Sequence, residues 1–310
     1  MFCKNAALGN NGFIHYFFTI ILTVIGYVLG QLPMMTVFYF AMEKHSDIGS
    51  EALKNFQANP DFSIFHLPKN VGLILMITIF IFALLALLFS VRYIHRRSIV
   101  TLFSAAGKID WNRIFWSTGV WFVLLIIVEA VSYVINPGNY EFRSPNVSFL
   151  FLLLISLFLL PIQTTAEEIF TRGYLFQAVS YNTNNIFFGF IVTIIIFAFM
   201  HGFNPETLKY GFWPMMVYYI SAAVLLGLIV IFDDRLELAI GVHTATNIFG
   251  ALLVTYKGAA MQTDSLFITK VISPVLLGIE IIILGIIFLY FAHRKYKWNI
   301  MQIKIKCDAD

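Results

Sequence analysis

The chain has 310 residues, of which 59% are hydrophobic, 17% aromatic and only 12% charged, with a formal net charge of +3. The charged fraction is about half that of an ordinary soluble domain, and charged residues crowd into connectors between long apolar stretches. This composition excludes a soluble globular protein, a disordered chain and a collagen-like fibre. Cys3 and Cys307 lie near opposite ends of the sequence, which excludes a local disulfide framework as well.

Apolar stretches, taken in chain order, predict an all-α fold: a polytopic transmembrane helical bundle of about eight spans. The predicted spans are 14–40, 71–91, 115–135, 148–180, 186–201, 214–232, 236–254 and 271–292. An even number of spans places both termini on one side of the membrane. That side carries 12 Lys and Arg residues against seven on the other, with Arg172 left out of the count. The excess of positive charge predicts cytoplasmic termini.

The connectors between the predicted spans are mostly short, and the longest polar stretch covers 43–70. The basic connector at 92–114 combines Arg96, Arg97 and Arg113 with apolar residues. That mixture is typical of an amphipathic segment at the membrane interface, but it fits a basic cytoplasmic loop equally well. The sequence leaves both interpretations open.

Ionisable side chains inside an apolar span cost free energy unless they are paired or hydrated, so each marks a candidate functional site. The densest group is Glu167-Glu168-x-x-x-Arg172 in the fourth span. On a helix Glu168 and Arg172 lie one turn apart and can form an ion pair, whereas Glu167 can point into a cavity. A carboxylate left without a dedicated partner suits a general base that takes a proton from water. A salt-bridged helix end at the interface is the competing interpretation.

Two histidines stand one helical turn from a second candidate residue. Phe197 and His201 share a face at the end of the fifth span, and His243 and Asn247 share a face of the seventh. A lone histidine at a helix end is usually structural. Two histidines, an acidic pair and an asparagine on three apolar segments together indicate a site.

The polar stretch 181–185 lies midway along the sequence between Glu168 and His201 and is a natural turn. An antiparallel hairpin about this turn would bring the two residues to a similar height. Straight helices cannot also bring His243 of the seventh span to that height. The sequence therefore predicts a kink at Pro161 or an interfacial stretch around 173–185.

These patterns resemble the CPBP intramembrane proteases, a family that includes the type II CAAX prenyl endopeptidases and bacterial relatives linked to bacteriocin self-immunity. The family pattern is Glu-Glu-x-x-x-Arg, then Phe-x-x-x-His, then His-x-x-x-Asn. It occurs here, in order, as Glu167-Glu168-x-x-x-Arg172, Phe197-x-x-x-His201 and His243-x-x-x-Asn247. The resemblance divides the chain into N-terminal transmembrane helices (1–147, including the basic connector), a catalytic core (148–255), and a last transmembrane helix with a basic tail (256–310).

The resemblance also implies a role for each matching residue. Glu167 would activate a water molecule that His201 helps to hold. Glu168 and Arg172 would form a supporting ion pair. The His243-x-x-x-Asn247 pair would stabilise the tetrahedral oxyanion, and Phe197 would shape the substrate-binding wall.

A metal is left open at this stage. Glu167, His201 and His243 together form a possible zinc set with an open position for water. The same groups can also activate water directly, without a metal.

The resemblance implies an integral-membrane endopeptidase that hydrolyses a peptide bond with Glu- and His-activated water. The alternatives are an ion- or proton-coupled transporter, in which the buried acids and histidines carry protons or cations, and a non-catalytic membrane immunity protein. The expected location is the cytoplasmic membrane of a bacterium. The expected partners are membrane lipid and a membrane-associated or lipidated peptide or protein substrate, with no nucleic acid.

Overall fold

The computed structural model describes residues 1–49, 51–299 and 305–307. The α-helices are α1 (Phe13–Leu29), α2 (Leu32–Lys44), α3 (Ala52–Ala58), α4 (Lys69–Tyr93), α5 (Trp111–Ile135), α6 (Val147–Phe158), α7 (Leu160–Glu168), α8 (Phe176–Asn182), α9 (Ile186–His201), α10 (Pro205–Tyr210), α11 (Phe212–Asp233), α12 (Glu237–Leu252) and α13 (Pro274–Tyr296). A π-helical segment, Ile169–Leu175, joins α7 to α8. Short 3₁₀ turns occupy Phe2–Leu8, Phe62–Phe65, Ile99–Leu102 and Pro137–Asn139.

All eight predicted spans are helical, which confirms the all-α transmembrane bundle. Among the described residues, six helical segments are long and apolar enough to cross a membrane: Phe13–Lys44, Lys69–Tyr93, Trp111–Ile135, Val147–Asn182, Phe212–Asp233 and Pro274–Tyr296. The other two predicted spans form α9 and α12, which have 16 residues each. At 1.5 Å per residue such a helix is about 24 Å long, shorter than the ~30 Å hydrocarbon core. Within the described residues, six helical segments are therefore long enough for a full span.

The fourth predicted span is not a single regular helix. It breaks after Phe158, and α7 begins with Pro161 in its first turn. Proline is tolerated there because backbone N–H groups in the first turn of a helix have no hydrogen-bond partner within it. The predicted kink at Pro161 is thus present. Directly after Glu168 the backbone widens into the π-helical segment, a feature that often accompanies functional sites in helices.

Two helices pack unusually closely beside the candidate site. Gly241 of α12 faces Ser117 and the carbonyl of Ile114 on α5, and a β-carbon at this position would overlap both. Trp121 of α5 is fully buried against the same helix, and its Nε1 donates a hydrogen bond to Thr246 Oγ1 at 2.8 Å. Close approach of the two backbones therefore fixes the height and rotation of α12.

We expect Gly241→Ala to lower the free energy of unfolding by about 1–3 kcal/mol, because the added methyl group forces α5 and α12 apart. Thermal unfolding in detergent measures the change. Gly119→Ala on α5 is the matched control, since no heavy atom lies within 4 Å of a β-carbon built there. Equal melting temperatures for the two variants would contradict this packing.

The basic connector folds into the protein. Arg97 is only 4% exposed, and its Nη1 donates to the backbone oxygen of Asn5 at 2.8 Å and to Gln177 Oε1 at 2.9 Å. His95 is also buried, and its Nε2 lies 2.8 Å from the Tyr174 hydroxyl. The sequence left open an amphipathic interfacial segment and a basic cytoplasmic loop here. The structure instead packs this part of the connector between the N-terminal 3₁₀ turn and the fourth helical segment.

The two ends of the chain meet, because a disulfide joins Cys3 to Cys307. Both cysteines are buried in the main hydrophobic core. Their separation of 304 residues gave no sequence signal for this pairing, which depends on where the two tails pack against the bundle.

A small three-stranded sheet lies among the connectors. Its strands are β1 (Tyr140–Phe142), β2 (Val254–Tyr256) and β3 (Phe267–Thr269), in the order β1-β3-β2. β1 pairs antiparallel with β3, and β2 pairs parallel with it. The sheet ties together the connectors that follow α5 and α12 and precede α13.

Candidate active site

The acidic pair lies at the end of α7, just before the π-helical segment. Glu168 is fully buried, and its Oε1 accepts a hydrogen bond from Arg172 Nη1 at 2.8 Å. Arg172 is 1% exposed and its guanidinium stacks over the Phe197 ring, 4.3 Å from the ring centroid. The ion pair expected from the i and i+4 spacing is therefore present.

His243 lies between the two carboxylates. Its Nδ1 is 2.8 Å from Glu168 Oε1, and its Nε2 is 3.3 Å from Glu167 Oε2. A ring flanked by a carboxylate on each side is best satisfied with a proton on both nitrogens. The structure therefore brings the His243 motif of α12 directly onto the Glu-Glu motif of α7.

The expectation that Glu167 has no dedicated partner is wrong. Besides His243, its Oε1 accepts a hydrogen bond from Gln163 Nε2 at 2.8 Å. Gln163 Oε1 in turn accepts from Asn247 Nδ2 at 2.8 Å. The reason is local: Gln163 precedes Glu167 by one helical turn and shares its face.

Gln163 is a site residue that the sequence reasoning missed. It completes one chain of hydrogen bonds and ion-pair contacts that runs from Asn247 through Gln163, Glu167, His243 and Glu168 to Arg172. Its signal was available, because a polar residue one turn before a buried acid is placed to bond to it.

We expect Gln163→Leu to lower kcat/KM by roughly 10- to 100-fold, because it removes both a donor to Glu167 and the acceptor that positions Asn247. Gln163→Glu keeps the size and the acceptor but removes the donor, so it separates the two contributions. Peptide cleavage by the purified variants is the measurement. Wild-type activity in Gln163→Leu would show that the bridge does not orient the site.

His201 joins the site through aromatic contacts. Its ring stacks on Phe197 with centroids 4.2 Å apart and also meets the Tyr219 ring at 4.7 Å. Its Nδ1 lies 2.8 Å from the backbone oxygen of Phe197. In neutral His201 this contact holds the proton on Nδ1 and leaves the lone pair of Nε2 available to accept a hydrogen bond.

These side chains line a cavity of about 730 Å³. Gln163, Glu167, Phe197, His201, His243 and Asn247 are all in its wall. Much of the remaining lining is apolar and includes Tyr27 of α1 and Phe80 of α4, which lie outside the three motifs. A few polar groups converging in an apolar cavity are typical of a small-molecule or peptide site.

The cavity wall contains a second polar group that the sequence did not indicate. Tyr219 donates its hydroxyl proton to Glu206 Oε1 at 2.5 Å, and Asn204 Nδ2 donates to the same hydroxyl oxygen at 3.0 Å. Burial raises the pKa of the Glu206 carboxyl above its usual value. Its position in the connector between α9 and α11 depends on tertiary packing, so the sequence gave no sign of it.

The possible zinc set of Glu167, His201 and His243 does not fit a metal ion in this arrangement. These three side chains do not bring three ligand atoms within 4.8 Å of one another. Among the described residues, the group that offers three ligand atoms within 4.8 Å of one another is His45, Asp47 and His66. That group does not line the cavity.

Comparison with known proteins supports the resemblance. Residues 146–249 match the family model of the type II CAAX prenyl endopeptidase Rce1-like proteins. The chain therefore contains a segment that is similar to the Rce1-like proteins. The Rce1-like segment contains all three motifs and the helices that hold them, and together with the six membrane-length helices it supports an integral-membrane protein of a protease family.

The similarity to one curated protein extends well beyond the Rce1-like segment. The chain is 29% identical over 296 residues to the uncharacterized protein YyaK of Bacillus subtilis (strain 168). The alignment covers 93% of this chain and 95% of the relative. No solved structure matches the chain.

Proposed function

We propose that the protein is an integral-membrane endopeptidase in which Glu167 activates water for attack on a peptide bond. The observation that carries this proposal is the pairing of Glu167 with His243 in the wall of an apolar cavity, with His201 in the same wall. A carboxylate held between two donors is ready to accept a proton without reorienting.

The proposed reaction divides the work among the cavity groups. Glu167 accepts a proton from water, and the lone pair of His201 Nε2 accepts a second hydrogen bond from the same water. The water oxygen adds to the carbonyl carbon. Once Glu167 is protonated, the Nε2–H of His243 is free to donate to the oxyanion, together with the N–H of Asn247 that does not bond to Gln163. Collapse of the tetrahedral species breaks the C–N bond as the proton on Glu167 passes to the leaving amine.

Three further residues position the reacting groups. Glu168 holds His243 at Nδ1, and Arg172 neutralises Glu168 and stacks on Phe197. This arrangement fixes the rotation of the imidazole, as a buried carboxylate does for a histidine in other hydrolytic sites. Phe197 separates His201 from Arg172 and forms the wall against which the substrate lies.

The proposed substrate is an extended or lipidated peptide at the membrane. The cavity lining combines the polar site with apolar side chains of α1 and α4, so it can contact both a peptide bond and an apolar group. Binding of the apolar part of the substrate would be driven by removal of its surface from water. If that part comes from the lipid phase, van der Waals contacts with the cavity wall would replace its contacts with lipid.

The test is cleavage of a library of extended peptides by the purified protein in detergent, read by mass spectrometry of new termini. We expect cleavage that a strong chelator does not diminish, because Glu167, His201 and His243 do not bring three ligand atoms close enough together to hold a metal. Loss of cleavage on chelation, with recovery on adding zinc, would overturn the metal-free mechanism. Failure to cleave any peptide would count against the function.

We propose that the termini face the cytoplasm of a bacterial cell, as the distribution of Lys and Arg favours. The disulfide between Cys3 and Cys307 in the structure weighs against this orientation and sharpens the test, because disulfides persist mainly in oxidising compartments. With cytoplasmic termini the two thiols should be reduced in intact cells and react with a maleimide only when it crosses the membrane. A disulfide found in freshly trapped cells would place the termini on the other side.

A further inference from the structure

A second cavity adjoins the candidate active site. It measures about 570 Å³ and shares Thr255 and Tyr256 of strand β2 with the lining of the catalytic cavity. Tyr256 also contacts the ring of Tyr210, whose hydroxyl donates to the backbone oxygen of Lys257 at 2.7 Å. One short strand therefore separates the two spaces.

The second cavity is strongly basic. We name it the basic pocket, and its charged lining consists of Lys69, Arg143, Lys209 and Lys257 against the single acid Asp61. The four cations come from four different parts of the chain: the start of α4, the connector after β1, α10, and the connector after β2. Convergence of two helices and two connectors on one point concentrates positive charge that no local sequence pattern contains.

Two of these cations share one carboxylate within the protein. Asp264 lies outside the lining and pairs with Lys69 Nζ at 2.7 Å and with Arg143 Nη1 at 3.8 Å. In contrast, within the part of the chain that the structure describes, neither Lys209 nor Lys257 has a carboxylate within ion-pair distance. Two positive charges at the pocket are thus left for a ligand.

The position of Lys209 is built by the backbone. Its Nζ donates to the backbone oxygen of Lys257 at 2.7 Å. Gly258 has a φ of +82°, and a β-carbon there would overlap the Lys209 side chain, so this glycine lets the loop close over it. Desolvation and the nearby charge of Lys257 lower the pKa of Lys209. Repulsion between the positive charges of Lys209 and Lys257 costs free energy, and a bound anion would offset that cost.

We propose that the basic pocket binds a carboxylate of the peptide substrate while the neighbouring peptide bond lies in the catalytic cavity. The carboxylate is either an acidic side chain or the free C-terminus. The shared wall at Thr255 and Tyr256 favours a peptide over a lipid headgroup, because one extended chain can reach both spaces. This inference rests on the proposed function.

Binding to the Glu167→Gln protein, measured by fluorescence anisotropy, tests the pocket separately from cleavage. The probes are one apolar peptide in three forms: with an internal Glu and an amidated end, with Gln and a free C-terminus, and with Gln and an amidated end. At low salt we expect at least one carboxylate form to bind about five- to tenfold more tightly than the neutral form. The two carboxylate forms show which source the pocket accepts.

Charge reversal assigns the preference to the pocket. Lys209→Glu combined with Lys257→Glu should abolish the preference for a carboxylate, and added salt should weaken it in the unreversed protein. Lys54→Glu is the matched control, because Lys54 is exposed on α3 and does not line the pocket. That variant should keep the preference.

Three results would overturn the inference: equal affinity for acidic and neutral peptides, a preference that survives the double reversal, or a preference lost in nanodiscs when phosphatidylglycerol replaces phosphatidylcholine at constant salt. The last result would identify a lipid headgroup as the occupant. Cleavage by wild type separates the two proposals. Cleavage without a carboxylate preference removes only the pocket, whereas a binding preference with no cleavage removes only the peptidase.

Discussion

Glu167→Gln is expected to lower kcat for peptide cleavage by roughly a thousandfold, because the amide cannot accept the proton of the attacking water. The substitution keeps the size of the side chain and its reach to Gln163 and His243. KM should change little, since the lost step occurs in the transition state rather than in binding. Steady-state kinetics on a cleaved peptide measure both constants.

The matched control for this variant is Glu280→Gln. Glu280 is an acid within the apolar helix α13 and does not line the catalytic cavity. It should keep wild-type kcat, and both variants should keep the wild-type melting temperature within a few degrees. Comparable cleavage by Glu167→Gln and wild type would remove Glu167 from the reaction.

Arg172→Met is expected to lower the free energy of unfolding by about 3–5 kcal/mol, because it leaves the Glu168 carboxylate buried without its strongest partner. Arg172 is also stacked on Phe197, so the aromatic wall should loosen at the same time. Thermal unfolding in detergent gives the stability change. Activity should fall as well, since His243 loses the fixed position of its acceptor.

An exposed ion pair provides the comparison. Arg143→Met removes the same side chain from a pair that is partly open to solvent and 3.8 Å apart, and should cost no more than about 1 kcal/mol. The double variant Glu168→Gln with Arg172→Met should be more stable than the sum of the single losses predicts. An Arg172→Met protein as stable as Arg143→Met would contradict a buried, energetically coupled pair.

Local spacing predicted the parts of the site that lie on one helix. Glu168 and Arg172 pair because they are one turn apart, and the break before Pro161 follows from the backbone chemistry of proline. The same rule would have found Gln163 if polar residues had been included beside the ionisable ones. The all-α transmembrane fold could be predicted from the lengths of the apolar stretches alone.

Contacts between helices were beyond the sequence. His243 reaches both acids only because α12 and α7 meet at one particular rotation, which depends on the close packing of Gly241 against α5. The 16-residue helices α9 and α12 were also predicted as full spans, because apolar composition does not show that a helix is too short to cross the membrane by itself.

The remaining features depend on the positions of connectors, which the sequence did not predict. The basic pocket draws its charges from four separate parts of the chain, and the pairing of Cys3 with Cys307 joins the two tails. Neither has a periodic pattern, because loops are placed by the helices they connect rather than by their own sequence. The burial of Arg97 arises in the same way, from packing of a basic connector against the N-terminal turn.

Parallel assays of proteolysis and ion flux in one set of proteoliposomes test the central claim most directly. Wild type and Glu167→Gln are reconstituted at equal density with an internally quenched peptide and a pH-sensitive dye. We predict peptide cleavage by wild type, none by Glu167→Gln, and the same proton flux in both. Proton flux that depends on Glu167, with no cleavage by either protein, would contradict the peptidase and assign the buried acids to a transport pathway.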